Sequence, residues 1–271
     1  MLSLRDETEF LHQFRGTAEQ TIGLMLALLR RVPVAVNHVN AGGWNRDVFR
    51  GPELNGSTVG VLGYGRLGSV VAGHLAAFGA HVRICDPHVS KSAVTGLEEL
   101  LQNSDIVTVH INFTERNRGF IGRAQFDAMR SGAYFINTSR GELIDEAALL
   151  AALKSGHLAG AALDGLTNKQ AGVAWKSLVA YARSHENLII TPHTGDCAVE
   201  SPKKMKRLMV ERLTEFCNTP ATVLKHADKV LALQQPSGHD EDHRRRRASR
   251  RRASRGKHEP EILLHASSID R

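Results

Sequence analysis

The stretch Val59-Gly60-Val61-Leu62-Gly63-Tyr64-Gly65-Arg66-Leu67-Gly68, with its continuation to Asp86, decides how this chain is read. The apolar run Val59 to Leu62 reads as a buried strand, the glycines as a turn, and the residues up to Gly79 as a helix. A second apolar run, His81 to Cys85, closes on Asp86. Strand, glycine turn, helix, strand and acid in this order are what a dinucleotide requires. Gly63 permits the tight turn, Gly65 lets the backbone approach a pyrophosphate, and Gly68 lets the helix lie close to the sheet. The helix N-terminus, where Arg66 and Leu67 stand, offers unpaired N–H groups and a partial positive charge to phosphates. Asp86 accepts hydrogen bonds from ribose hydroxyls and repels a 2′-phosphate, so NAD is expected over NADP. Alone, the glycine spacing also fits a doubly wound fold that holds another nucleotide or none. The strands, helix and acid at their offsets carry the dinucleotide reading.

Composition narrows the class. A chain of 271 residues that is 42% hydrophobic can bury a sizeable core. The net charge of +7 is local: nine Lys and Arg fall between Arg244 and Lys257 with no acid among them, which leaves the remainder slightly acidic. The part expected to fold carries no basic excess, so no specific nucleic-acid binding is expected and polyanion affinity would belong to the tail. Cys85, Cys197 and Cys217 are widely spaced without a CxxC pair, which argues against a disulfide framework, a structural zinc site or any metal centre. That usage suits the reducing cytoplasm. The longest apolar helical run, Ile22 to Leu29, is too short for a membrane span and stops at Arg30-Arg31; no targeting segment is visible.

Residues 17 to 31 read as a buried helix with Thr17 as N-cap and Pro33 as the stop, followed by a linker containing Gly42-Gly43-Trp44 and Gly51-Pro52. Beyond the glycine turn, helices and strands alternate, which predicts a parallel sheet. Leu97 to Asn103 and Arg123 to Met129 read as helices; Ile106 to Ile111, Ala133 to Asn137, Leu158 to Leu163 and Asn187 to Thr191 read as strands. Asp145 is expected to cap a helix from Glu146 to Lys154 whose Ala147, Leu150, Ala151 and Leu153 face the sheet. Residues 201 to 217 form an amphipathic helix with Met205, Leu208, Met209, Leu213 and Phe216 on one face. From Pro236 to Arg271 the composition predicts disorder. The Arg-Arg-Ala-Ser repeat ending at Ser249 and Ser254 is similar to basophilic kinase sites, and composition favours solvated low-complexity sequence.

Three further clusters stand at strand ends, on the side where open α/β sheets bind ligands. They are Asn137-Thr138-Ser139-Arg140-Gly141, Ala162-Leu163-Asp164 and Thr191-Pro192-His193-Thr194-Gly195. With the glycine turn they resemble the NAD-dependent D-2-hydroxyacid dehydrogenases, the phosphoglycerate dehydrogenase-like members most of all, over about residues 8 to 216. The resemblance implies an α/β, doubly wound, Rossmann-like domain at residues 17–195, with 196–235 returning to a substrate domain of which residues 1–16 are a remnant. It implies NAD as cofactor, a small 2-hydroxy or 2-keto acid as substrate, and a homodimer through the 17–31 helix and the Gly42-Gly43-Trp44 linker. Arg140 matches the substrate-binding arginine, His193 the general acid/base, and Asp164 the aspartate that orients the nicotinamide carboxamide. Gly63, Gly65, Arg66, Leu67, Gly68, Asp86, Thr138, Ser139 and Gly195 match positions around the cofactor. Taken singly, Arg140 reads equally as a surface ion pair and His193 as a capped core histidine; the joint pattern favours the site.

The chain departs from that family at definite places. The family carries a glutamate five residues after the aspartate, which pairs with the histidine; here the position is Lys169. A lysine there favours the neutral ring, so weak turnover is expected, with Asp196 and Glu200 as substitute partners. The family's His-x-Pro becomes His110-Ile111-Asn112, and the Gly-Gly after the histidine becomes Gly195-Asp196. The family's substrate domain is built mainly from about the first hundred residues, and this chain begins where that segment ends. A non-catalytic NAD-binding protein acting through a partner is the alternative reading.

Overall fold

Apolar runs too short to be helices and bounded by turns become strands, and in the computed structural model six of them form one all-parallel sheet. The structure describes residue 10 and residues 13–89, 95–167 and 173–218. The strands are β1 (Thr58–Leu62), β2 (His81–Cys85), β3 (Ile106–Val109), β4 (Ala133–Asn137), β5 (Leu158–Asp164) and β6 (Leu188–Thr191). The helices are α1 (Gly16–Leu29), α2 (Val32–Asn40), α3 (Arg66–Ala77), α4 (Leu97–Gln102), α5 (Arg123–Ala128), α6 (Glu146–Lys154), α7 (Val173–Ser184) and α8 (Glu200–Asn218). The strand order is β2-β1-β3-β4-β5-β6, so the direction of winding reverses between β1 and β3. The crevice at the carboxyl ends of those two strands is where such sheets take ligands.

The period of two in each strand builds two cores. Val59, Val61, Ile106, Ile136 and Ala162 point to one face, where α1 and α3 cover them with Ile22, Met25, Leu28, Val71 and Leu75. Leu62, Val107, Phe135, Ala161 and Leu163 point to the other, against Leu101 of α4, Phe126 of α5, Leu149 of α6 and Leu178 of α7. Each Val, Leu, Ile, Met or Phe side chain among them contributes about 1.5–3 kcal/mol on withdrawal from water. Both faces are therefore covered, as a doubly wound sheet requires.

Several local expectations are corrected. Thr17 is not the cap of the first helix: α1 begins at Gly16 after Arg15, and the Thr17 carbonyl accepts the Thr21 hydroxyl. Pro33 does not end helical structure, because it stands in the first turn of α2, where its missing N–H leaves no bond unmade. The break is at Arg31, held at φ 52 and fastened to Glu186 and the Val48 carbonyl. In α6 the buried side chains are Glu146, Leu149, Ala152 and Leu153, while Ala147 and Ala151 are exposed. Helix α7 has no counterpart in the sequence reading. Its Leu178 and Tyr181, three apart, are buried.

The apolar side of α1 is consumed within its own chain. By contrast, α2 buries nothing: Val32, Val36 and Val39 are about half exposed, and Trp44 beyond it is 90% exposed. No single helix among the described residues is long and apolar enough to cross a membrane. The chain divides into two compact units, Met1–Lys204 with the sheet, and Met205–Arg271, whose described part is the rest of α8. In that part Leu208 is buried, while Met209, Val210 and Leu213 are half exposed or more.

Candidate functional site

The glycine turn joins β1 to α3 at the switch point. Gly63 has φ 90, a conformation that suits glycine, and a Cβ there would stand 2.6 Å from the His110 carbonyl oxygen. A Cβ on Gly68 would overlap the Gly63 carbonyl oxygen, so the helix start lies directly on the turn. Gly65 has nothing within 4 Å of its Cβ position and opens to the crevice. Asp86, just past β2, accepts from the Tyr64 N–H at 2.7 Å with Oδ2 and from the His88 N–H at 2.8 Å with Oδ1. Burial works to raise its carboxyl, but those two N–H bonds and the nearby His88 outweigh it and hold the group below the usual carboxylate range. Arg66 donates to the Phe14 carbonyl at 3.1 Å, and burial lowers its pKa.

At the end of β4, the buried Asn137 clips the next turn: its amide donates to the Arg140 carbonyl at 2.9 Å, and its Oδ1 accepts from Ser139 N–H at 3.0 Å. The Ser139 hydroxyl donates to the Val109 carbonyl, tying β4 to the end of β3. Thr138 turns the other way. The Thr21 hydroxyl proton is committed to the Thr17 carbonyl, so Thr138 is the donor in their 2.7 Å contact.

Asp164 ends β5 at 3% exposure and organises the loop that follows β6. Its Oδ1 accepts from the Thr191 hydroxyl at 2.6 Å and the Thr194 N–H at 2.9 Å, and its Oδ2 from the Gly195 N–H at 2.7 Å. The carboxylate grips both ends of Thr191-Pro192-His193-Thr194-Gly195 and forces a turn so tight that His193 takes φ 59. A non-glycine residue in that region is strained and persists only where the surroundings over-determine it.

The result is the juxtaposition of two distant residues: an Arg140 guanidinium nitrogen lies 3.4 Å from His193 Nε2. Arginine can only donate, so this ring nitrogen is the acceptor and the ring proton sits on Nδ1. Arg140 also donates to the Ser139 carbonyl and has no carboxylate partner among the described residues. Asp196 contacts the Cys197 thiol, and no carboxylate among the described residues pairs with His193. Lys169 lies outside the described residues. A cavity of about 540 Å³ opens beside the same loop, between Leu166, Val179, Ile190 and Pro192; neither Arg140 nor His193 lines it. Among the described residues no group of three His, Cys, Asp or Glu is placed to hold a metal ion.

Residues 22–195 match the D-isomer specific 2-hydroxyacid dehydrogenase, NAD binding domain family. The chain belongs to that family. It is 33% identical over 239 residues to a D-3-phosphoglycerate dehydrogenase of Bacillus subtilis, covering 82% of this chain and 44% of the relative. To a glyoxylate reductase of Thermofilum pendens it is 32% identical over 234 residues, covering 81% and 68%. A D-lactate dehydrogenase from Aquifex aeolicus, solved as a complex with NAD and lactic acid, superimposes with a TM-score of 0.71 at 28% identity, over 76% of this chain and 67% of that one. The chain thus spans less than half the length of the phosphoglycerate dehydrogenases it matches.

NAD is the cofactor of this 2-hydroxyacid dehydrogenase domain, and the residues present fit it. The open space over Gly65, the N-terminus of α3 and the Asp86 carboxylate at the tip of β2 form a cradle that a side chain at position 65 would fill. Two features of the surroundings escaped the sequence reading. Thr191 and Thr194 were not singled out as donors to Asp164, although a buried carboxylate demands partners. Glu146 is not among the residues the sequence reading turns to the sheet; its spacing of three and seven from Leu149 and Leu153 is the signal that it faces inward.

Proposed function

We propose that this chain carries out NAD-dependent interconversion of a small 2-hydroxy acid and its 2-keto acid, a reading carried by the juxtaposition of Arg140 and His193. Reduction of a 2-keto acid needs a cation for the carboxylate, a proton for the developing alkoxide, and a hydride source at the carbonyl carbon. The cofactor supplies the hydride when bound at the glycine turn. The planar fork of Arg140 takes the substrate carboxylate, and His193 Nε2 gives its proton to the carbonyl oxygen. Without substrate, Arg140 donates to that same Nε2, and a protonated ring would set N–H against N–H. Turning the guanidinium to the carboxylate frees the nitrogen to hold its proton. Ser139 and Gly195 frame the cofactor end of this arrangement, Thr138 fastens the same turn to α1 through Thr21, and Asp164 acts by holding the histidine loop.

Turnover is expected to be weak, because the family's glutamate is Lys169 here and a neighbouring ammonium favours the neutral ring. NADH-dependent reduction of hydroxypyruvate tests the reading: His193→Ala should remove whatever activity exists, a loss of about 10²- to 10⁴-fold for a general acid. Lys169→Glu should raise the rate and move the pH optimum upward, since a paired imidazolium stays protonated to higher pH. Absence of turnover in both the unsubstituted chain and Lys169→Glu, with NADH bound, would favour the alternative that Lys169 suggests, an NAD-binding protein acting through a partner. Asp86 should make NADH bind more tightly than NADPH in a fluorescence titration, with Asp86→Ala weakening NADH and narrowing the preference.

Homodimerisation forms part of the proposal, through the exposed valines of α2 and Trp44, since the apolar side of α1 is already buried. The free thiols Cys85 and Cys197 support a reducing, cytoplasmic setting.

A further inference from the structure

Glu146 opens α6 yet is only 6% exposed. A carboxylate withdrawn from water is costly unless it is hydrogen-bonded, so its partners indicate its work. The carboxylate accepts the Thr167 backbone N–H at 2.6 Å. Burial pushes this carboxyl above its ordinary value; hydrogen bonding from Thr167 opposes the rise, and Glu142 and Asp145 add to it. The bond crosses between loops. Thr167 belongs to the loop that leaves β5, whereas Glu146 follows the turn that carries Arg140.

The same two loops run backbone against backbone, because a Cβ on Gly141 would overlap the Thr167 nitrogen. One step further, Gly165 has φ 104, and a Cβ there would stand 2.9 Å from His193 Nδ1, so its bare backbone is the floor under the imidazole. The path closes on itself: Arg140, Gly141, the bond from Glu146 to Thr167, Leu166, Gly165, the His193 ring, and the 3.4 Å contact back to Arg140. Asp164 holds the far side of the histidine loop. Among the described residues, only the Glu146 hydrogen bond ties the loop after β5 to the Arg140 turn through a side chain.

We propose that Glu146 is a positioning residue: by fastening Thr167 it holds the 165–167 loop at the depth where Gly165 supports His193 opposite Arg140. The kinetic consequence rests on the dehydrogenase reading; the placement of His193 does not. Removing the acceptor leaves the part-buried Thr167 N–H without its partner, the loop relaxes, and the histidine loses its floor. Misplacement of a reacting group by about 1 Å costs on the order of 10²-fold in rate.

The test uses the full chain with two substitutions. Glu146→Met keeps the volume and removes the acceptor, and Glu146→Gln keeps an acceptor oxygen. Amide exchange at 165–167, the imidazole nitrogen shifts of His193, NADH affinity, and kcat and KM for hydroxypyruvate are read together. In Glu146→Met the 165–167 amides should exchange faster, the His193 signals should move, NADH affinity should hold, and kcat should fall about 10- to 100-fold. Glu146→Gln should restore most of each. Should the Met variant not fold, Glu146→Asp, which withdraws the acceptor by one carbon, is read the same way. Unchanged exchange at Thr167, or faster exchange with unmoved His193 signals, overturns the proposal. If neither the unsubstituted chain nor Lys169→Glu reduces hydroxypyruvate with NADH bound, the dehydrogenase reading falls while the exchange and His193 measurements still decide Glu146.

Discussion

Gly65 and Gly68 stand three residues apart in one turn, and their surroundings set opposite expectations. A methyl on Gly68 meets the Gly63 carbonyl, so Gly68→Ala should lower the denaturant midpoint, by about 1–3 kcal/mol for an overpacked site. A methyl on Gly65 meets nothing of the protein, so Gly65→Ala should unfold like the unsubstituted chain yet lose NADH affinity by titration. Equal stability losses in the two variants would contradict this division. His110 gives the pH expectation. Its ring reaches the buried Thr108 hydroxyl at 3.0 Å, and burial pushes its pKa down to about 4. The unfolded chain takes up a proton near pH 6.5 that the folded chain refuses until about pH 4. Stability from this residue is therefore full above pH 6.5 and is lost as pH falls toward 4, by on the order of 2–3 kcal/mol. Denaturant unfolding between pH 7 and 4 checks it: His110→Gln should flatten the slope relative to the unsubstituted chain.

At the scale of elements, sequence rules succeeded where the signal was local. Asp145 caps α6 by accepting the N–H groups of Ala147 and Ala148 at 2.9 and 3.1 Å, as its position before an apolar run predicts. Asp145→Ala should cost about 0.5–2 kcal/mol in thermal or chemical unfolding. The same helix shows where such rules stop. Nearly every position of Glu146–Lys154 is apolar or small, so composition defines no unique face, and the sheet chose Leu149, Ala152 and Leu153 together with a glutamate. The stop read at Pro33 failed for a related reason. Proline ends a helix and also begins one, and only the turn at Arg31, held by Glu186 and Val48, decides which applies.

For the whole molecule, the exposed stripe of Val32, Val36 and Val39 with Trp44 is the surface whose burial a dimer would supply. Light scattering at micromolar concentration should show a dimer that Val36→Asp shifts toward monomer, while NADH affinity stays as it was; a strictly monomeric unsubstituted chain would count against it. The strand periodicity, the glycine turn and the acid at residue 86 were enough to determine a parallel doubly wound sheet and its cofactor, because those signals are written within a few residues of one another and hydrophobic periodicity fixes which side of each strand is buried. The motifs at 137–141, 164 and 191–195 were equally legible as strings. What they do to one another was not. Only the tertiary structure brought Arg140 within 3.4 Å of His193 and turned the Asp164 carboxylate onto the loop bearing His193. Only it made Glu146 an interior tie to Thr167. Those contacts join segments 21 to 53 residues apart, and their geometry follows from strand order and register, which no local pattern in the chain encodes.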